Sequence, residues 1–500
     1  MLSSDYNPFE DSSSALWETT DSTGRFAFDG IPPGDYTISA SANSAAYRWF
    51  SNGIGLERDD AKNLEPGILL PTRTGTFPLP SDSPEGYAFI PGLDIIGEVT
   101  ETRDSVVLVN MPQGRFDSLL FCAVEEPETK QVIARSLSVS EDTTVFTPSE
   151  HFYTYSTLIH LNTTADAANV SETVYSFPVL VGLNEQNFDF TQTREDGSDL
   201  YFSKTDGTPI PFEIEEWIVD FSRAVAWVLI DTLHGDSEQT IRMHWGNPGI
   251  VSQSRSVEVF DTANDFVSVW HLEEFSVGAD GAPNFRDATY NAFHGLDYVS
   301  AGGQLGLIGY GQDFNGPGDH IEVGHLAIPY SNPAFSFTLS CWFNIDRYRE
   351  PDLTAQYFME LIDTAIDMSY WRLFTTNQTE GASVRVPISF SLQTDSGEQT
   401  VTGEMDPTTA LDHWRFVVVS VTGNEIALYE NGTLSRREKV DGMPFVTYSQ
   451  PVLRIGRNDA TTIETKGSID ELRISSTTRS DAWIKLCFEN QRPDNKLVSF

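Results

Sequence analysis

The chain has 500 residues, 39% of them hydrophobic, which is enough for packed cores rather than disorder and long enough for three or four domains. Its 73 acidic against 31 basic residues leave a formal charge of −42, which argues against nucleic acid and anionic membrane surfaces as partners. Cys122, Cys341 and Cys487 are too few and too scattered for a disulfide framework or a zinc site on cysteines, although Cys341 and Cys487 can pair.

Aromatics at 12%, with 26 Pro and 36 Gly, favour β-structure with many turns. No apolar run reaches membrane-spanning length. Met1 is followed by Leu-Ser-Ser-Asp, without the basic and apolar regions of a secretion signal. Taken literally, that places the chain in the cytosol. The first module opens in mid-fold, however, so the expectation is a chain that begins late and works at the cell surface or outside it.

Residues 1–24 are polar and read as a loop. In Gly24–Ser39, Phe26 and Phe28 alternate with polar neighbours as in a half-buried strand. Pro32-Pro33-Gly34 then turns the chain, and Tyr36 and Ile38 begin the return strand. The pattern recurs in Asp104–Leu119. Ile31 aligns with Met111, Pro32 with Pro112, Gly34 with Gly114 and Tyr36 with Phe116, a constant offset of 80. Two tandem small sandwiches follow, at 1–72 (lacking its early strands) and 73–147. Both resemble the carboxypeptidase-regulatory-like family, which implies spacers or interaction modules rather than catalytic units. Asp104 stands where that family has glycine.

The next region, 148–252, is a series of short apolar or alternating strands bounded by turn residues. Its features are Asn162-Thr-Thr, Phe177-Pro-Val-Leu-Val, Asp199-Leu-Tyr-Phe, Pro211-Phe-Glu-Ile-Glu and His244-Trp-Gly-Asn-Pro. They resemble a bacterial β-sandwich domain of unknown function that precedes jelly rolls in secreted proteins.

The last region, 260–500, begins with Phe266-Val-Ser-Val-Trp-His-Leu-Glu-Glu274. Strands follow at Phe335–Phe343, Trp414–Val421, Glu425–Gly432, Leu453–Arg457 and Lys466–Ser475. Such a series suits two facing antiparallel sheets. Its order resembles the laminin-G-like, concanavalin-like jelly roll. One helix is expected, over Asp481–Glu489 behind a Ser480 cap. The fold class is therefore all-β: tandem small sandwiches, then a concanavalin-like jelly roll.

In Lys466–Ser475, strict alternation puts Asp470 on the same face as Leu472 and Ile474. A carboxylate there needs backbone donors or a cation. The jelly-roll resemblance implies calcium, with Glu274, Asp287 and Asp470 in the acidic positions, although Tyr290 replaces the loop glycine. For ligand contact, Tyr348, Tyr357, Tyr370 and Trp371 lie in the most irregular part of the jelly roll, with Trp371 and Phe374 alternatively core residues. Trp270, Trp342 and Trp414 read as core.

No Gly-x-Ser-x-Gly, His-Glu-x-x-His or phosphate loop is present. The paired acids of a jelly-roll glycosidase are missing from Ile469–Leu472. The expectation is a non-catalytic adhesion or carbohydrate-binding protein whose partner is a polysaccharide or a surface protein. A purely structural surface component is the alternative, and a glycan hydrolase the weaker third.

Overall fold

The computed structural model describes residues 2–3, 16–42, 46–57, 62, 64, 67–79, 85–99, 105–124, 130–140, 144–148, 153–247, 252–275, 283–300, 304–314, 318–326, 336–345, 355–376, 378–380, 383–385, 387–403, 413–444, 451–457 and 465–500. Strands dominate throughout, and the fold is all-β.

Near the N-terminus, a four-stranded sheet runs in the order Leu2–Ser3, Gly34–Ala42, Tyr47–Leu56, Leu70–Pro71. The second module has a five-stranded sheet ordered Thr144–Pro148, Lys130–Val139, Gly114–Ala123, Gly86–Phe89, Ile96–Val99. A two-stranded sheet of Arg73–Pro78 and Ser105–Met111 accompanies it. Gly34 and Gly114, paired by the repeat, both open a strand, at φ 159° and 151°. Phe26 and Phe28 differ from expectation. They lie on irregular chain and meet edge to face, with centroids 5.8 Å apart. Asp104 lies outside the described residues. Phe50 of the first module stacks on Phe116 of the second at 4.7 Å.

The middle sandwich has one sheet ordered Tyr201–Lys204, Glu238–Trp245, Tyr155–Asn162, Val498–Ser499, and another ordered Val174–Asn184, Arg223–Leu233, Phe212–Ile218. The fourth strand of the first sheet comes from the chain's C-terminus, with His160 opposite Ser499.

The jelly roll has two eight-stranded sheets. The proximal sheet faces the middle sandwich and is built around the closing strand Gly467–Ser475. That strand pairs with Ser336–Ile345, Phe266–Trp270 and Tyr310–Asp313. The distal sheet runs Pro283–Phe285, Gly295–Asp297, Ile321–Gly324, Pro451–Ile455, Ala355–Asp363, Met368–Thr376, Ile388–Thr394, Gly397–Thr402. Between them lies a core that includes Trp270, Phe343, Phe358, Trp371, Phe390 and Ile474.

The outer face of the proximal sheet is itself buried. Trp342, Phe416, Val418 and Tyr429 share one cluster with Phe177, Val179 and Trp227 of the middle sandwich. The helix Asp481–Gln491 sits in the same cluster through Trp483, Ile484 and Leu486. Ser480 caps it as expected, its hydroxyl accepting from the Trp483 N–H at 3.1 Å. Trp270 is fully buried and Trp414 partly so, while Trp342 belongs to the cluster between the domains. The three cysteines are buried free thiols.

The closing strand departs from strict alternation. Its pairing shifts register between Ser340–Arg473 and Trp342–Asp470, and Glu471 has φ 52°. Ile469, Leu472 and Ile474 therefore all enter the jelly-roll core. Asp470 lies on the opposite side from Leu472 and Ile474, contrary to the two-residue period. The extra residue of a bulge is what the sequence pattern does not carry.

Candidate functional site

The face of the distal sheet turned away from the core is built by register. Inward, Ile321, Ile455, Met359, Leu373 and Phe390 stand in one row. One residue along each strand, Glu322, Arg454, Glu360, Arg372, Ser391 and Thr400 form the next row. A strand's side chains alternate between faces, so the second row points outward. Its first four members alternate in charge, one per strand, about 4.8 Å apart.

Beside this ladder, Tyr357, Phe374, Ser389 and Thr402 stand opposite one another. Tyr357 and Phe374 stack with centroids 5.3 Å apart and planes at 28°. Neither belongs to a hydrophobic cluster. At the other end, Tyr298 stacks on His320 at 4.6 Å and 5°. Arg454 donates to Glu322 at 3.3 Å, Ser369 donates to Glu360, and Arg372 pairs with Glu398. Ser389 and Thr402 share a 2.9 Å bond.

Burial raises the Tyr357 phenol, partly offset by Arg372. Burial lowers the His320 imidazole, so the ring is neutral at neutral pH, with Nδ1 donating to the Gly318 carbonyl at 2.7 Å. Arg372 Nε is buried without a partner among the described residues. Glu360 and Ser391 are buried at 0% and 2% exposure, so the face offers two aromatic pairs flanking the part-exposed Glu322, Arg454 and Arg372.

Of the three described aromatics among the four expected to meet a ligand, Tyr357 alone is on this face. Tyr348 lies outside the described residues. Tyr370 and Trp371 are 3% and 1% exposed, both inside the jelly-roll core. A register shift opposite Leu361–Ile362 lets two consecutive residues turn inward. Phe374, an alternative core residue on sequence, faces outward. Arg372, Arg454, Glu322 and Glu360 were missed. Alternation from Leu373 was the available signal for Arg372 and Phe374.

The expected calcium residues do not converge. Asp287 is saturated, accepting from the N–H groups of Val269, Thr289 and Phe293 and from the hydroxyls of Ser268 and Thr289, at 2.9–3.2 Å. Asp470 accepts from the N–H groups of Leu307 and Ile308 at 2.8 and 2.9 Å. Glu274 accepts from the Arg286 N–H at 2.7 Å. Among the described residues, the one His/Cys/carboxylate group with converging ligand atoms is elsewhere, at Glu215, His271 and Glu471. Glu274, Asp287 and Asp470 therefore do not fit a shared calcium ion. Backbone amides saturate Asp287 but answer only one oxygen each of Asp470 and Glu274, whose Oδ1 and Oε2 are buried without a partner among the described residues, and the bulge at Glu471 holds Asp470 on the far side of its sheet.

A family model described as concanavalin A-like lectin/glucanases superfamily matches residues 315–485. A second, a domain of unknown function (DUF2341), matches residues 196–273, running through Phe266–Trp270. The chain is multi-domain, with a concanavalin-like jelly roll in its C-terminal half. No curated protein matches the chain.

Among solved structures, the binding domain of botulinum neurotoxin serotype D is 18% identical, over 46% of this chain and 51% of that one, with a TM-score of 0.33. The same serotype's ligand-binding domain in complex with N-acetylneuraminic acid is 18% identical over 46% and 51%, at 0.32. A heptameric SAP-like pentraxin from Limulus polyphemus is 12% identical over 35% and 80%, at 0.28. The chain spans about half the length of the neurotoxin structures it matches. Among the described residues, no helix is long and apolar enough to cross a membrane.

Proposed function

We propose that this protein is a non-catalytic, extracellular or cell-surface binding protein whose jelly roll takes carbohydrate on the outer face of its distal sheet. The observation that carries this reading is the pairing of Tyr357 with Phe374, and of Tyr298 with His320, around the Glu322–Arg454–Glu360–Arg372 ladder. Sugar rings present flat C–H faces that pack on aromatic rings. Their vicinal hydroxyls suit the fixed donors of arginine and the paired acceptors of carboxylates. The small sandwiches at 1–72 and 73–147 would act as spacers of the carboxypeptidase-regulatory type, and the sandwich at 148–252 as the scaffold for the jelly roll at 260–500.

Glu322 and Glu360 stand two strands apart, about 10 Å, near the wider carboxylate separation used by inverting glycosidases. Arg454 lies between them and pairs with Glu322, which favours binding over hydrolysis.

A glycan array and polysaccharide pull-down with the full chain tests the reading. Retention on a defined glycan is expected. Tyr357→Ala and Phe374→Ala should each weaken it about tenfold, about 1.4 kcal/mol. No retention on any glycan favours a protein partner or a purely structural role. Release of new reducing ends from a bound polysaccharide overturns the non-catalytic part.

A further inference from the structure

Where the middle sandwich meets the jelly roll, three acidic side chains close on one histidine. Glu213 and Glu215 come from the strand Phe212–Ile218 of the middle sandwich. His271 directly follows the jelly-roll strand Phe266–Trp270. Glu471 and Arg473 come from the closing strand. Two local departures from regular strand geometry present them. Leu272 has φ 64° and, like Trp270, enters the jelly-roll core, leaving His271 in contact with the middle sandwich. Glu471 has φ 52° and sits at the bulge.

His271 Nδ1 lies 2.6 Å from Glu471 Oε1 and 3.3 Å from Glu215 Oε2, and Nε2 lies 3.3 Å from Glu213 Oε2. The side chains of Glu215 and Glu471 are 0% exposed and that of His271 7%. The Trp227 indole stacks beside the imidazole at 6.0 Å and 19°, and Phe260 packs on it at 5.4 Å.

Both ring nitrogens face only carboxylate oxygens. With Nε2–H donated to Glu213, Nδ1 stands before two more oxygens, so a proton or a cation must lie among the three. A single proton on Nδ1 can be directed to only one of them. Glu215 Oε1 is buried with no hydrogen-bond partner among the described residues. Arg473, bonded to Glu471 Oε2 at 2.6 and 3.1 Å, answers one of the three carboxylates, and a divalent cation would answer the other two.

We propose that Glu215, His271 Nδ1 and Glu471 Oε1 hold a divalent transition cation of the zinc type that joins the middle sandwich to the jelly roll. The ligand atoms of the three residues already lie within 4.8 Å of one another. Tetrahedral zinc with about 2.0–2.2 Å bonds sets its ligands roughly 3.3 Å apart. The His271–Glu215 spacing has that value, and the His271–Glu471 contact opens by about 0.7 Å to reach it. One imidazole and two carboxylates without sulfur suit zinc or its first-row neighbours, whereas calcium asks for six to eight oxygens.

The surrounding groups are those that orient metal ligands. Glu213 accepts the other imidazole N–H, the Trp227 indole N–H donates to Glu215 Oε2 at 2.5 Å, and Arg473 occupies Glu471 Oε2 so that Oε1 is left to the ion. The three ligands are buried between two domains and the unpartnered Glu215 Oε1 stands beside them to fill the fourth position, so the role is structural.

Metal analysis of the full chain, stripped with chelator and then dialysed against Zn2+, tests this. One equivalent of Zn2+ should survive desalting. The thermal midpoint should fall on stripping and return with Zn2+ but not with Ca2+. Co2+ in its place should give visible d–d absorption, a readout that needs no variant. Glu215→Gln and Glu213→Gln should each weaken Zn2+ binding by about tenfold or more. Sub-stoichiometric uptake of Zn2+ and Co2+ together with an unmoved midpoint overturns the proposal and leaves a protonated His271 at the centre. Undiminished uptake by Glu215→Gln overturns it too, by putting the ion elsewhere.

Discussion

Asp287 shows how a single buried carboxylate is held without an ion. It is 6% exposed and takes five hydrogen bonds, three of them from backbone N–H groups. Amide donors aimed at a carboxylate do the work a cation would do, and they leave no lone pair facing an empty site. Asp287→Ala removes the acceptor and strands those buried N–H groups, which should cost about 3–5 kcal/mol. Urea denaturation followed by tryptophan fluorescence measures it. If Asp287 is a hydrogen-bonded structural residue, adding calcium leaves the wild-type midpoint unchanged. A calcium-dependent rise that disappears in Asp287→Ala would restore the metal reading for this loop.

At the scale of elements, what the sequence carried and what it did not divide cleanly. Periodicity and capping are local, so the closing strand and the final helix were legible. Ser480 followed by Asp481-Ala-Trp marks a helix start, and the cap bond to Trp483 is present. Ser480→Ala should cost about 1 kcal/mol, read as a shift in the urea midpoint with an unchanged slope. A shift within error would mean that packing of Trp483 and Ile484 alone fixes the helix start. Bulges are set by how a strand pairs with its partner, which the two-residue pattern of one strand does not record, so they were illegible. One extra residue at Glu471 reversed the side assigned to Asp470, and one at Tyr370 drew Tyr370 and Trp371 into the core. The His271–Glu215 contact joins residues 56 positions apart, and His271–Glu471 joins residues 200 apart. No motif in either strand announces such a meeting.

For the whole molecule, the junction of the middle sandwich and jelly roll is a shared core rather than a linker between separate cores. Trp342, Phe416, Val418 and Tyr429 lie in one cluster with Phe177, Val179 and Trp227 of the middle sandwich, and the strand Val498–Ser499 completes a sheet in the other domain. Asn490 makes the tightest link. Fully buried, it accepts from the Leu180 N–H at 2.7 Å and donates to the Leu180 carbonyl at 3.0 Å, in place of a neighbouring strand at the edge of the sheet. Residues 153–247 and 252–500 should therefore unfold in one calorimetric transition. Asn490→Ala leaves two buried backbone groups unpaired, at a cost of about 2–4 kcal/mol. Because the core is continuous, that loss should lower the whole transition, seen alike by near-ultraviolet dichroism and by fluorescence. Two resolved transitions in the wild type, with Asn490→Ala moving only one, would show that the two regions fold independently despite sharing a core.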